Sequence, residues 1–225
     1  MRLMNFRLHV SIGLLGLLII GGLAGPARAA TGEARVYLDV EHMLPHRAAG
    51  SLHLTLRPFI SVESRFRNSG LVYEQWNAGL RFGLLSWLSG AAYYTPREAL
   101  SSAKPDAFKN VAGADVVFQP SFGSFRFINR EANEWHVTDR YYRYRNLSEI
   151  VYTTPIRRMS LYLYDEFRVD SDEKRVNMNN VEGGIKADVT PSLTLVASYG
   201  IEANRRRLPR WEYVQFVGLK CAAHS

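Results

Sequence analysis

Apolar and polar residues alternate along most of this chain with a period of two residues. The alternation is clear over residues 52–65, 72–84, 159–168, 181–189 and 193–202. Because successive side chains of a β-strand point to opposite faces of a sheet, this period predicts strands with one apolar and one polar face. Long stripes with helical spacing do not recur along the chain. The pattern therefore predicts an all-β fold.

The length of these segments indicates what the apolar face contacts. They extend for about ten to fifteen residues, whereas soluble strands usually end after about five or six and tilted membrane strands need about nine to eleven. We therefore expect an antiparallel up-and-down transmembrane β-barrel of about 10–12 strands. A soluble β-sandwich alternates in the same way and stays the alternative.

The predicted turns separate by length onto two sides of such a barrel. Short turns fall on the periplasmic side at residues 84–86, 120–123, 153–156 and 189–192. Longer connections fall on the outer side at residues 96–112, 136–139, 170–175 and 205–209. This arrangement gives ten strands from Leu52 onward.

One further segment, Arg35 to Met43, also alternates and looks like an eleventh strand. Bacterial single-chain barrels close with even numbers of strands. Either this segment lies outside the barrel wall, or a twelfth strand remains to be found.

The N-terminus has the order of a secretory signal peptide. Arg2 and Arg7 precede an apolar run from Val10 to Leu23, and Ala27-Arg28-Ala29 follows it. We expect cleavage after Ala29 and export from the cytoplasm. Residues 30–225 then form a single domain, because no linker or long repeat divides them.

Charge and cysteine content narrow the function further. Removing residues 1–29 takes away three arginines and no acid, so the formal charge falls from +7 to +4. Export argues against nucleic acid as a partner. Cys221 is the only cysteine, which rules out an intramolecular disulfide and cysteine-based zinc sites. We expect no metal and no cofactor.

The polar faces of several strands carry charged residues at comparable heights. Facing one another across a narrow lumen, they would form a ladder of charge-assisted pairs between arginines and carboxylates. On a sandwich they would form a solvated outer face. The predicted lumen residues are Arg130, Glu134, Arg143, Arg145, Glu149, Glu166, Arg168, Glu182 and Glu202.

A second candidate site is the arginine-rich segment that the turn assignment places at the outer surface. It contains Arg205, Arg206, Arg207 and Arg210. Guanidinium groups bind phosphates bidentately, so this segment is a candidate contact for lipopolysaccharide. A solvated loop is the alternative.

Several short motifs occur in the order found in a known family. They are the run Arg130 to His136, the core Arg143-Tyr144-Arg145, the strand end Tyr164 to Phe167, the pair Asn179-Asn180 and the strand around Tyr199. On these motifs the chain resembles the domain-of-unknown-function 2490 family. The resemblance implies an exported outer-membrane β-barrel and carries no biochemical activity with it. Asn180, where an arginine is expected, and the non-aromatic C-terminus depart from the pattern.

No catalytic motif stands out in the mature sequence. It has no G-x-S-x-G elbow, no H-E-x-x-H pair and no glycine-rich phosphate loop. We expect a barrel in the outer membrane of a Gram-negative bacterium, not an enzyme, that maintains the envelope or conducts small solutes. Its expected partners are outer-membrane lipids, lipopolysaccharide and the barrel assembly machinery. A lipid-modifying barrel enzyme and a periplasmic β-sandwich binding module are the alternatives.

Overall fold

The computed structural model describes residues 32–44, 55–67, 70–98, 100–101, 104–105, 109–205 and 210–224. The predicted signal peptide lies outside these residues. Eleven long strands make up the fold. They are β1 Gly32–Glu41, β2 Thr55–Arg67, β3 Gly70–Leu85, β4 Leu88–Glu98, β5 Lys109–Phe118, β6 Phe125–His136, β7 Tyr141–Thr153, β8 Met159–Asp170, β9 Arg175–Thr190, β10 Leu193–Asn204 and β11 Glu212–His224.

These strands close into a barrel. Each strand from β1 to β10 pairs antiparallel with the next one along the chain. The wall is completed by β1 and β11, which pair parallel from Gly32 opposite Gln215 to Glu41 opposite His224. The prediction of an all-β, antiparallel up-and-down barrel of about 10–12 strands is confirmed, except that the seam between β1 and β11 is parallel. The described residues do not form the two packed sheets of a β-sandwich.

The segment that sequence analysis left unplaced is β1, and neither expected alternative describes it. It lies inside the wall, paired with β2 as well as with β11. The even-number rule holds when every neighbouring pair is antiparallel. A single parallel pair at the seam allows an odd number of strands to close.

The apolar faces of the strands point outward. In a closed barrel alternate residues face the lumen and the exterior, and large apolar side chains occupy the exterior. Exposed examples on different strands are Ile60, Leu80, Val116, Ile150, Leu163, Val181, Leu195 and Val217. The interior instead contains charged and polar side chains, so the barrel has an apolar surface and an ionic core.

Because the number of strands is odd, β1 begins at one rim of the barrel and β11 ends at the opposite rim. We call the rim that holds Gly32 the N-terminal rim and the rim that holds His224 the C-terminal rim. The predicted separation of short turns from long connections fails near the start of the chain. The connection across residues 42–54 reaches the rim that holds the short turns, and a short one at 68–69 reaches the other. The described residues contain no helix long and apolar enough to cross a membrane.

Candidate functional site

The interior of the barrel is lined by ion pairs that join neighbouring strands and strands further apart. We call these side chains the lumen network. Its cations are mainly arginines, whose planar guanidinium groups donate several hydrogen bonds at once. The pairs form three groups. The first lies near the N-terminal rim, the second in the middle of the wall and the third near the C-terminal rim.

The first group surrounds Arg35 on β1, whose side chain is 1% exposed. Its Nε donates to Glu33 Oε1 at 2.8 Å, and its Nη2 donates to Glu202 Oε2 on β10 at 2.8 Å. The guanidinium lies over the Phe216 ring, 3.7 Å from the centroid. Arg65 on β2 also donates to Glu202, at 3.3 Å. Glu202 thus connects strands on both sides of the parallel seam.

Glycine makes room for this arrangement. A Cβ at Gly200 would lie 2.3 Å from Phe216 Cζ, which is too close for any side chain. The ring beneath Arg35 can therefore occupy its position only because residue 200 has no side chain.

The second group is a chain of pairs on β6, β7 and β8. Arg145 Nη1 donates to Glu134 Oε1 at 2.7 Å, and Arg145 Nε donates to Glu166 Oε1 at 2.9 Å. Arg168 Nε donates to the same Glu166 oxygen at 2.7 Å. Arg168 also lines the same cavity as Glu63 on β2, on the far side of the barrel. Charged side chains of the network therefore face one another across this cavity.

Two further contacts extend this group toward the N-terminal rim. Arg143 binds Asp170 through two hydrogen bonds, from Nε at 2.6 Å and from Nη2 at 2.9 Å. Tyr141 Oη and His136 Nδ1 are 2.8 Å apart, and His136 Nε2 lies 3.4 Å from Glu134. His136 is thus held by a tyrosine and a glutamate.

The third group lies toward the C-terminal rim, on β1, β2, β3 and β11. Arg81 donates to Glu41 Oε2 at 2.7 Å and to Asp39 Oδ2 at 3.1 Å. Arg57 donates to the other Glu41 oxygen at 3.1 Å. Lys220 Nζ lies 3.6 Å from Asp39. These pairs are more exposed than those around Arg35.

All nine predicted lumen residues have partners in this interior. Arg130 pairs with Asp115 at 2.6 Å, and Glu149 binds Lys186. Glu182 accepts hydrogen bonds from Tyr162 Oη at 2.5 Å and Tyr164 Oη at 2.9 Å. The other six belong to the first two groups and their extension.

Sequence reasoning missed many of the partners. The alternation showed that β1 and β2 have a polar face, but the parity argument left β1 without neighbours. The register of the seam, which the alternation does not reveal, decides which charges meet. The missed charged residues are Glu33, Arg35, Asp39, Glu41, Arg57, Glu63, Arg65, Arg81, Asp115 and Asp170.

A cavity of about 300 Å³ remains within the lumen network. Its wall includes Asp39 and Arg81 from the third group, Arg145 and Arg168 from the second, and Glu63. Both signs of charge therefore face the cavity. It can hold water or a few small ions between paired side chains.

The arginine-rich segment at the N-terminal rim is only partly described. Arg206 and Arg207 lie outside the described residues. The backbone N–H of Arg205 donates to the Asn177 carbonyl at 2.9 Å, and its guanidinium lies 5.4 Å from the centroid of the Trp211 ring. Arg210 is exposed. Arg205 thus packs against its own barrel, and the phosphate contact stays a prediction.

Comparisons with known proteins add no family to this description. No model of a known protein family matches the chain, and no curated protein sequence matches it. In the part of the chain that the structure describes, no three His, Cys, Asp or Glu side chains are grouped as a metal site would require. The chain is thus characterised by its own geometry, an odd-stranded barrel with an apolar surface and a salt-bridged interior.

Proposed function

We propose that this protein is an outer-membrane β-barrel whose lumen network blocks the passage of large solutes, so that its main role is structural, in the maintenance of the envelope. The observation that carries the proposal is the inversion of polarity. Large apolar side chains cover the exterior, and buried arginine–carboxylate pairs occupy the interior. A soluble barrel of this size has the opposite need, because its apolar side chains must be hidden from water.

Three further features support the proposal. The closed wall leaves no unpaired sheet edge in contact with lipid. The N-terminal sequence has the order of an export signal. The resemblance to the domain-of-unknown-function 2490 family implies the same location. Lipopolysaccharide and the barrel assembly machinery are then its expected contacts.

A narrow conduit for small ions is the second candidate function, and the lumen cavity favours it. The cavity of about 300 Å³ is lined by both acidic and basic side chains. It therefore suits a hydrated ion without a fixed preference for cations or anions. The long charged side chains that line the cavity keep any such path narrow.

Membrane fractionation combined with gel migration tests the main proposal. The full chain is expressed in a Gram-negative host, and its outer membranes are washed with high salt and carbonate. We expect the mature protein to stay in the washed membranes and to migrate differently in detergent gels before and after boiling. A soluble periplasmic product with no heat-dependent shift would overturn the proposal.

A further inference from the structure

The outward faces of β6, β7, β8 and β9 differ from the rest of the exterior. Most outward positions of the other strands are apolar, although Ser64 on β2 and Glu74 on β3 also point outward. These four strands instead present a contiguous group of amides, hydroxyls and two carboxylates. We call this surface the outer polar patch. It consists of Asn129, Glu131, Asn133, Tyr144, Asn146, Ser148, Asp165 and Asn179.

The outer polar patch lies midway between the rims. Glu131 faces Asn146 in the register of β6 and β7, near the middle of both strands. Exposed Phe127 and Ile150 flank it toward the C-terminal rim, and exposed Tyr142 lies toward the N-terminal rim. In the membrane orientation proposed above, the patch therefore faces the hydrocarbon region, where polar groups are costly.

The side chains of the patch are bonded to one another. Asn146 Nδ2 donates to Glu131 Oε1 at 2.7 Å, and Tyr144 Oη donates to the other oxygen of the same carboxylate. Asn129 Nδ2 donates to Ser148 Oγ at 3.1 Å. These bonds partly satisfy the polar atoms, but the outer side of each group still faces away from the barrel.

The second carboxylate of the patch is also bonded within the patch and also faces away from the barrel. Asn179 Nδ2 donates to Asp165 Oδ1 at 2.7 Å, and Asp165 is exposed. Asn133, beside Tyr144 in the register, is exposed too. Acyl chains provide no hydrogen-bond partners for these groups. A partner that covers the patch must therefore supply polar atoms in the middle of the membrane.

The chemistry of the patch favours a second copy of this chain as that partner. Its four amides each donate and accept, so two patches facing each other across a two-fold axis complement one another. At mid-wall no lysine or arginine of these four strands points outward, and the carboxylates already accept from amide and hydroxyl donors. Cationic lipid headgroups reside near the rims, away from this height.

We propose that the outer polar patch is the surface through which two copies of this protein associate in the outer membrane. This inference rests on the proposed membrane location. Side-chain hydrogen bonds between membrane segments stabilise association modestly. Several of them on one face, next to apolar contacts such as Ile150 and Leu163, give a dimer with a defined orientation.

Cysteine cross-linking tests the dimer. In a Cys221→Ser background, Asn133→Cys is compared with Leu80→Cys, which lies at an exposed outward position of β3. Washed outer membranes are treated with a mild oxidant and run on non-reducing gels. We expect a band at twice the chain mass for Asn133→Cys and only a trace for Leu80→Cys. Equal bands for both, or cross-links from Asn133→Cys to a different protein, would overturn the proposal.

A second variant separates association from insertion. Glu131→Leu combined with Asn146→Leu and Asp165→Leu makes the patch apolar, and Ser64→Leu combined with Glu74→Leu makes the same change on outward positions of β2 and β3. We expect the first variant to dimerise about tenfold more weakly, and the control to dimerise like the wild type. Both should retain the heat-dependent gel shift.

The outcomes distinguish this proposal from the membrane location. If the wild type shows the heat-dependent shift but sediments as a monomer in detergent and gives no cross-link, the dimer is refuted and the membrane barrel stands. If the wild type is soluble and shows no heat-dependent shift, both proposals fall together.

Discussion

Arginine supplies most of the cations inside this barrel, and its shape explains why. A guanidinium donates in several directions within one plane, so one side chain can hold carboxylates from different strands. Arg35 connects β1 to β10 in this way, and Arg145 connects Glu134 on β6 to Glu166 on β8. A lysine has the same charge but lacks this fixed fork.

Substitution of Arg35 tests how much a buried ion pair contributes to the stability of the barrel. Arg35→Leu removes the shortest ion pairs that the structure describes for Glu33 and for Glu202, each at 2.8 Å and both in a region with little water. Since removing one member of a buried pair leaves an uncompensated charge, we expect the free energy of unfolding to fall by about 3–5 kcal/mol. Urea unfolding of the purified protein in detergent micelles, followed by tryptophan fluorescence, measures the change.

Arg67→Leu is the matched control. Arg67 also binds Glu33, at 3.1 Å, but its side chain is 53% exposed. We expect a loss below about 1 kcal/mol, as for other solvent-exposed pairs. Equal losses for the two variants would show that burial does not set the contribution of these pairs.

The alternation of polar and apolar residues predicted which side chains point into the lumen. It did not predict which of these side chains form ion pairs with one another. Alternation alone assigns Arg143, Glu166 and Glu202 to the polar face, because the side-chain period of a strand is two. It does not predict that Glu202 meets Arg35, since that contact depends on the stagger between distant strands. The same period places Glu131 and Asp165 on the outward face, but it does not indicate what covers polar side chains there.

At the scale of elements, β1 is the strand that changes the fold. Its residues alternate like those of the other strands, so its existence was predictable. Its pairing was not, because it is bound on one side by a sequence neighbour and on the other by the last strand of the wall. The pairing of β1 with β11 is parallel instead of antiparallel. This relative direction leaves no local signal in the sequence of either strand.

The native cysteine makes the parallel seam directly testable. Leu38 lies opposite Cys221 in the register of β1 and β11, and neighbouring strands are about 4.8 Å apart, within the range of a disulfide. We therefore expect Leu38→Cys to form a disulfide with Cys221 when the folded protein is treated with a mild oxidant. Peptide mapping by mass spectrometry under non-reducing conditions identifies the linked peptides.

Val36→Cys is the control for register. Val36 lies opposite Leu219, on the same face of the strand as Leu38 but displaced from Cys221. We expect little linkage for this variant. A disulfide from Val36→Cys in preference to Leu38→Cys, or none from either, would contradict the described seam.

The whole molecule combines a closed wall with a filled interior. The ion pairs of β6, β7 and β8 join neighbouring strands of the wall, and Arg168 lines the lumen cavity together with Glu63 of β2. Side chains just fill a barrel of about eight strands, and these eleven strands enclose long charged side chains around a cavity of about 300 Å³. The wild type should therefore show a small conductance or none in planar lipid bilayers.

Removing the second group of lumen pairs should open a path for ions through the barrel. We expect a variant with Arg145→Ser, Glu166→Ser and Arg168→Ser to conduct several times better than the wild type, because three long side chains leave the middle of the lumen together. Arg57→Ser, which removes a more exposed cation near the C-terminal rim, should leave the conductance unchanged. Equal conductance of the triple variant and the wild type would mean that these pairs do not block the lumen.

Fold class was the most predictable property at this scale. Long alternating segments are typical of barrel strands, and the closed barrel confirms that reading. The count was harder, because ten strands from Leu52 onward satisfied the even-number rule and made β1 look superfluous. Only the meeting of the first and last strands decides the number, and that meeting spans nearly the whole chain.

The parallel seam also restricts how this chain can be rearranged. In a barrel with an even number of strands both ends of the wall share a rim, so a short linker can join them and new ends can be opened in any loop. Here a linker would have to cross a wall about 25 Å tall, through a crowded lumen or along the lipid. Circular permutation should therefore fail, and repetition of whole hairpins alone cannot produce this architecture.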